Sequence, residues 1–146
     1  MTVKVTLEWY SKVDAQLEQI PIELRGKALK SGLRKAGQQV VKRAKQLVPG
    51  PGYPGDKPAL KPLRETLRTE VKEYANAIVA ISGPKWPEGA HGHLVEESHQ
   101  HFSHGKATGV MTEAQPFIEP AAKDTRELQD KSVRDGVAKA IKKALK

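Results

Sequence analysis

The chain opens on a period of two. Val3, Val5 and Leu7 alternate with Thr2, Lys4, Thr6 and Glu8, the pattern of a strand that turns one face to a core. From Trp9 the spacing lengthens: Val13, Leu17 and Ile20 are helically placed, with Ser11 available as an N-cap. Pro21 closes this short helix and suits the first turn of the next. There Leu24, Ala28, Leu33, Ala36, Val40, Ala44 and Leu47 form one apolar stripe, so an amphipathic helix is expected to run to near Val48. Gly26, Gly32 and Gly37 fall inside it, each costing about 1 kcal/mol relative to Ala. They mark either close backbone packing or a shorter helix.

The run Pro49-Gly50-Pro51-Gly52-Tyr53-Pro54-Gly55-Asp56-Lys57-Pro58 combines fixed angles, missing donors and glycines, so an exposed loop is expected over 49–59. Residues 60–66 can form a helical turn. Leu67, Thr69 and Val71 then alternate with Arg68, Glu70 and Lys72, Tyr74-Ala75-Asn76 supplies a turn, and 77–82 is a continuous apolar run rich in β-branched residues. An antiparallel hairpin at the centre of a sheet is the expectation, with a helix over 63–74 as its competitor. Gly83-Pro84 is expected to end the second strand in a turn, because Pro84 cannot donate to a ladder. A second exposed loop is expected over 97–113.

The C-terminal part, 118–146, reads as one helix. Its stripe is Ala121, Thr125, Leu128, Val133, Val137, Ile141 and Leu145; Glu119 and Asp124 lie near its start and Lys139, Lys142, Lys143 and Lys146 near its end, which complements the helix dipole. Gly136 is expected to weaken or bend it. Pro116 stiffens the approach to Phe117, and Pro120 sits in the first turn, where no amide hydrogen is needed. The fold class expected is α+β: a small antiparallel sheet, made of the N-terminal strand plus a hairpin, packed by a long basic amphipathic helix and a C-terminal helix in a single domain over 1–146.

Composition narrows the function. At 146 residues, 38% hydrophobic and 29% charged, the chain suits one core of ordinary size. It has no cysteine, which removes disulfides, thiolate metal sites and cysteine nucleophiles. No run reaches the roughly 18 apolar residues of a membrane span, and Met1-Thr2-Val3-Lys4-Val5 lacks a secretion signal's apolar block, so a soluble protein made in the cytoplasm is expected. The net charge of +8 favours polyanionic partners. Much of it lies on one helix, where Arg25, Lys27, Lys30, Arg34, Lys35, Lys42, Arg43 and Lys45 face Glu23 as the sole acid between Ile22 and Val48. That face is either simply solvated or a docking surface for an acidic partner or a nucleic-acid backbone.

Catalytic patterns are thin. The Pro/Gly run lacks the Gly-x-x-x-x-Gly-Lys-Ser/Thr of a phosphate cradle, and no strand leads into it. All five histidines, His91, His93, His99, His101 and His104, fall within one segment, where His-x-His pairs with Glu96 or Glu97 can supply ligands to zinc, nickel or copper. The spacing His-Glu-x-x-His is absent. Ser98 beside His99 is an adjacency and not a triad, and paired Glu96 and Glu97 point apart on a strand. No catalytic constellation, cofactor site or metal site is assigned.

Three segments carry a resemblance. Ile81-Ser82-Gly83-Pro84, then Ala90-His91-Gly92-His93-Leu94-Val95-Glu96, then Gln115-Pro116-Phe117-Ile118-Glu119-Pro120-Ala121 before a final helix resemble the neck and tail-completion (head–tail joining, minor tail) proteins of long-tailed bacteriophages. The likeness spans nearly the whole chain. It departs from the family at Lys61-Pro62, where a Thr-Gly is usual, and at Glu97-Ser98, where an aromatic-Gly is usual. The resemblance implies a helix at 94–97 and structural anchors at Gly83, Pro84, Leu94, Val95, Glu96, Gln115, Pro116, Phe117, Ile118 and Pro120. It also implies a non-enzymatic virion protein without cofactor. Six identical subunits, or alternatively twelve, would form a ring at the head–tail junction. The ring would sit between the phage connector or stopper protein and the tail terminator or tube protein, with genomic DNA passing through and no membrane contact. The rival from another class is a basic nucleic-acid-binding protein or a metal-dependent nuclease using the histidine segment.

Overall fold

The computed structural model describes residues 3–5, 15, 17, 18, 20–50 and 61–146. The loop expected at 49–59 and most of the short helix expected from Trp9 lie outside these residues, although Leu17 and Ile20 are both buried. The elements run β1 (Val3–Val5), α1 (Ile22–Leu47), α2 (Leu63–Thr66), β2 (Leu67–Tyr74), β3 (Ala77–Pro84), α3 (Gly92–Glu96), β4 (His99–Ser103), β5 (Lys106–Thr112), α4 (Ile118–Asp124) and α5 (Arg126–Ala144). The fold is α+β.

β3 is the centre of a three-stranded antiparallel sheet ordered β1-β3-β2, with Val3 opposite Ser82 on one side and Val71 opposite Ala80 on the other. Its apolar, β-branched run suits that central place. The helix over 63–74 does not form beyond Thr66. A two-residue turn, Ala75-Asn76, joins β2 to β3, with Tyr74 opposite Ala77.

α1 lies between the sheet and α5. Its hydrophobic stripe is wide enough to serve both sides: Val40, Ala44 and Val48 join Leu63, Leu67, Val95, Phe117, Ile118 and Ala121 in one cluster. Ala28 and Ala36 join Leu17, Ile20, Val133, Val137 and Ile141 in another. Glycine permits both approaches. A Cβ on Gly136 would lie 2.6 Å from Gly32 Cα, so α1 and α5 cross backbone to backbone. Five residues on, about 140° around the helix, a Cβ on Gly37 would overlap the Thr69 side chain, and there the Gly37 carbonyl accepts a hydrogen bond from Ser82 Oγ at 3.2 Å. Of the two readings of these helix glycines, close packing holds at Gly32 and Gly37, and α1 keeps its full length.

β3 ends at Gly83-Pro84 as expected, with Pro84 opposite Leu67 at the last ladder position and Lys85 N–H closing onto the Thr66 carbonyl at 2.9 Å. Three expectations are corrected. The C-terminal helix is two helices, broken at Thr125 (φ −104°, ψ 9°). There the Ala121 carbonyl accepts both the Thr125 N–H at 3.2 Å and Thr125 Oγ1 at 2.7 Å, and Gln129 Nε2 donates to the Ala122 carbonyl at 2.8 Å, so side chains share the carbonyls of the last α4 turn. The expected stripe is also corrected: on α5 Val133, Val137 and Ile141 are buried, whereas Leu128, about 140° around the helix from Val133, is 51% exposed and Leu145, past the helix end, 68%. Residues 97–113 contain a β-hairpin, β4–β5, whose two-residue turn His104-Gly105 has positive φ at both positions (49° and 77°), the conformation that matches strand twist.

Candidate functional site

The two segments around Glu96 and Phe117 meet. α3 ends at Glu96, as the resemblance implies for a helix near 94–97, and Glu97 is already extended. The buried Glu96 side chain then reaches the start of α4. Its Oε2 accepts the Phe117 N–H at 2.9 Å and the Ile118 N–H at 3.2 Å, and its Oε1 accepts the Glu119 N–H at 3.2 Å. A helix begins with four amides that lack intrahelical partners. Glu96 satisfies three, and Pro120, at the fourth place, has no N–H to satisfy. The Gln115 N–H donates to the Val95 carbonyl at 2.8 Å, closing the other end of the junction. Phe117, Ile118 and Val95 fill the core behind this clasp.

The remaining anchors divide by burial. Leu94 sits at the surface, and Gln115 and Pro116 are exposed, so their part is backbone geometry and not side-chain packing. Gly83 and Pro84 are half-buried within β3. On α4, the Lys123 ammonium, 2.6 Å from Glu119, donates a hydrogen bond and a favourable charge that hold the Glu119 carboxyl below its ordinary pKa.

The eight cations of α1 are not equivalent. Arg25 Nε donates to the Ile20 carbonyl at 3.3 Å, Lys30 pairs with Glu73 of β2, and Arg43 Nη2 pairs with Asp124 of α4 at 2.8 Å. These three bind the fold to itself. Lys27, Arg34, Lys35, Lys42 and Lys45 form no ion pair among the described residues.

The histidines disperse. His91 is buried at the start of α3; His93 Nδ1 lies 2.6 Å from the Ala90 carbonyl, His101 Nδ1 3.3 Å from Thr108 Oγ1, and His104 Nδ1 3.1 Å from Ser103 Oγ. Among the described residues no three His, Asp or Glu side chains converge as ligands.

The β4–β5 hairpin is the feature that sequence reasoning missed. Every residue over 100–111 is exposed, including Phe102, Val110 and Met111 at 60% each. It forms its own two-stranded sheet, separate from β1-β3-β2. A register shift between Gln100 and Phe102 places extra residues on β5, where Gly109 has φ 76° and Thr108 Oγ1 donates to the His101 carbonyl at 3.0 Å.

No protein-family model, curated protein or solved structure matches the chain.

Proposed function

We propose that this chain is a structural subunit of the head–tail junction of a long-tailed phage, closing a ring with copies of itself and catalysing no reaction. The β4–β5 hairpin carries the reading. An isolated two-stranded hairpin is marginal in water, and an exposed strand edge templates pairing with another chain. Here such an arm bears three exposed apolar side chains on a body already anchored through Glu96 and Phe117. An arm of one subunit seated on the next is a head-to-tail contact, and head-to-tail contacts close into rings when the rotation allows. The motif resemblance, the α+β architecture and the α1 cations that form no ion pair among the described residues agree with a protein whose work is done by surfaces. The nuclease rival needs its histidines gathered; they are spread over α3 and the hairpin.

Native mass spectrometry of the purified protein, or of junctions isolated from particles, is expected to give a closed ring of six. Replacing 100–111 by a short Gly/Ser connection is expected to leave folded monomers. In the phage, deleting the gene should leave DNA-filled heads and finished tails unjoined; normal infectious particles refute the role.

A further inference from the structure

Three of the α1 cations that form no ion pair among the described residues are joined by one more from the sheet. Arg34, Lys42 and Lys45 line a groove of about 460 Å³ whose other wall is β2, which contributes Arg68, and Gln38 and Thr69 complete its polar lining. All four cations are exposed, and among the described residues no acid lines the groove. The nearest acids along β2 are engaged elsewhere, Glu70 with Lys72 at 3.9 Å and Glu73 with Lys30. The wall-to-wall spacing is fixed from within: Gly37 brings α1 onto the sheet, and Ser82 Oγ holds its carbonyl while contacting Thr69 Oγ1 at 3.0 Å.

The geometry points to this groove as a binding site for the phosphodiester backbone of duplex nucleic acid. From Arg34 to Lys45 the helix rises about 16 Å, at about 1.5 Å per residue, so its cations follow a line instead of surrounding a point. A line suits a polymer of phosphates better than a single anion. The neutral members, an amide and a hydroxyl, are the side chains that commonly join Arg and Lys on phosphate oxygens. Among the described residues the lining has no aromatic on which a base can stack, so recognition by these side chains stops at the backbone and is independent of sequence. An acidic protein surface is the competing occupant, and the test separates the two.

Binding of a short labelled DNA duplex to the full chain is followed by fluorescence anisotropy between about 50 and 200 mM salt. With four phosphates neutralised, at a slope of about −0.9 each, log K is expected to fall against log salt with a slope of about −3.6. Lys42→Gln with Lys45→Gln should halve that slope to about −1.8 and weaken binding roughly 60-fold at about 0.1 M salt. Lys27→Gln with Lys35→Gln removes the same charge from α1 outside the groove, and should leave the slope unchanged. Equal losses from the two pairs, or a slope that the groove pair does not move, overturns the site in favour of general charge attraction. A polyglutamate chain that displaces the duplex at equal charge overturns it in favour of an acidic protein. The ring reading is measured by mass in the absence of DNA, so either idea can fail while the other stands.

Discussion

Alanine at the α1–α5 crossing sets helix propensity against packing, and the structure decides which wins. A Cβ on Gly136 would lie 2.6 Å from Gly32 Cα and 3.0 Å from Gly32 N; one on Gly32 would lie 2.8 Å from the Val133 carbonyl oxygen. Carbon atoms rest about 3.5–4.0 Å apart, so the helices must separate by about 1 Å. Backbone cannot rotate away as a side chain can. A gap of that size forfeits roughly a quarter to a half of each dispersion contact beside it, and Ala28, Ala36, Val133 and Val137 lie in the affected cluster. Overpacking of this kind costs about 1–3 kcal/mol, and a backbone obstruction places it at the upper end. Against it stands about 1 kcal/mol gained by replacing a helical glycine. Gly136→Ala is therefore expected to destabilise by about 2 kcal/mol, lowering Tm by about 4–8 °C for a domain of this size. Gly26, on α1, is the control. Among the described residues its Cβ would meet nothing nearer than Glu73 Oε1 at 4.0 Å, so Gly26→Ala should raise Tm by about 2–3 °C. Thermal unfolding followed by circular dichroism reads both. If Gly136→Ala raises Tm as Gly26→Ala does, the close crossing is not part of the folded protein.

Phe117→Ala should cost about 3–5 kcal/mol in denaturant unfolding, because the ring is wholly buried; an unchanged midpoint removes it from the core. Glu96→Ala leaves two buried amides and one part-buried amide at the α4 N-terminus without their acceptor and should cost about 3 kcal/mol, whereas Glu97→Ala, at an exposed neighbour, should stay within about 0.5 kcal/mol. Equal effects at the two sites would dissolve the clasp. The Glu119–Lys123 pair stabilises α4 only while Glu119 is ionised. Because its folded pKa lies below the ordinary value of 4.5, that contribution is present above this value and is lost as pH falls through the depressed one. An NMR titration should show the Glu119 midpoint rising toward 4.5 in Lys123→Gln, and an unmoved midpoint would deny the pairing.

How much of this was legible before the structure depends on the range of the interaction that carries it. α1 and the β2–β3 hairpin are written in local periodicity, and both stand. The break at Thr125 is not, because Thr125 and Gln129 fit a helical stripe as well as they fit the capping bonds they make across the turn. The β4–β5 hairpin escaped for a different reason. Its extra residues at Thr108 and Gly109 shift the register, so alternation on β5 loses phase, and its turn uses His104-Gly105 in place of Asn-Gly.

The Glu96 clasp and the basic helix mark the limit of pattern reading in opposite ways. The segments 93–96 and 115–121 stand out in the sequence, yet nothing local says that a carboxylate in the first satisfies amides 21 to 23 residues downstream. Pro120 is the one local trace, a residue whose missing N–H leaves three amides for one carboxylate. The basic helix gives an excess of signal: eight cations on one face invite a single docking surface. Tertiary structure divides them. Arg25, Lys30 and Arg43 are drawn into contacts with the rest of the fold, and Arg68, which no helical count includes, joins Arg34, Lys42 and Lys45. Charge that is spent internally cannot also neutralise a partner, so the groove, and not the helix face, sets how many counterions a bound polyanion would release.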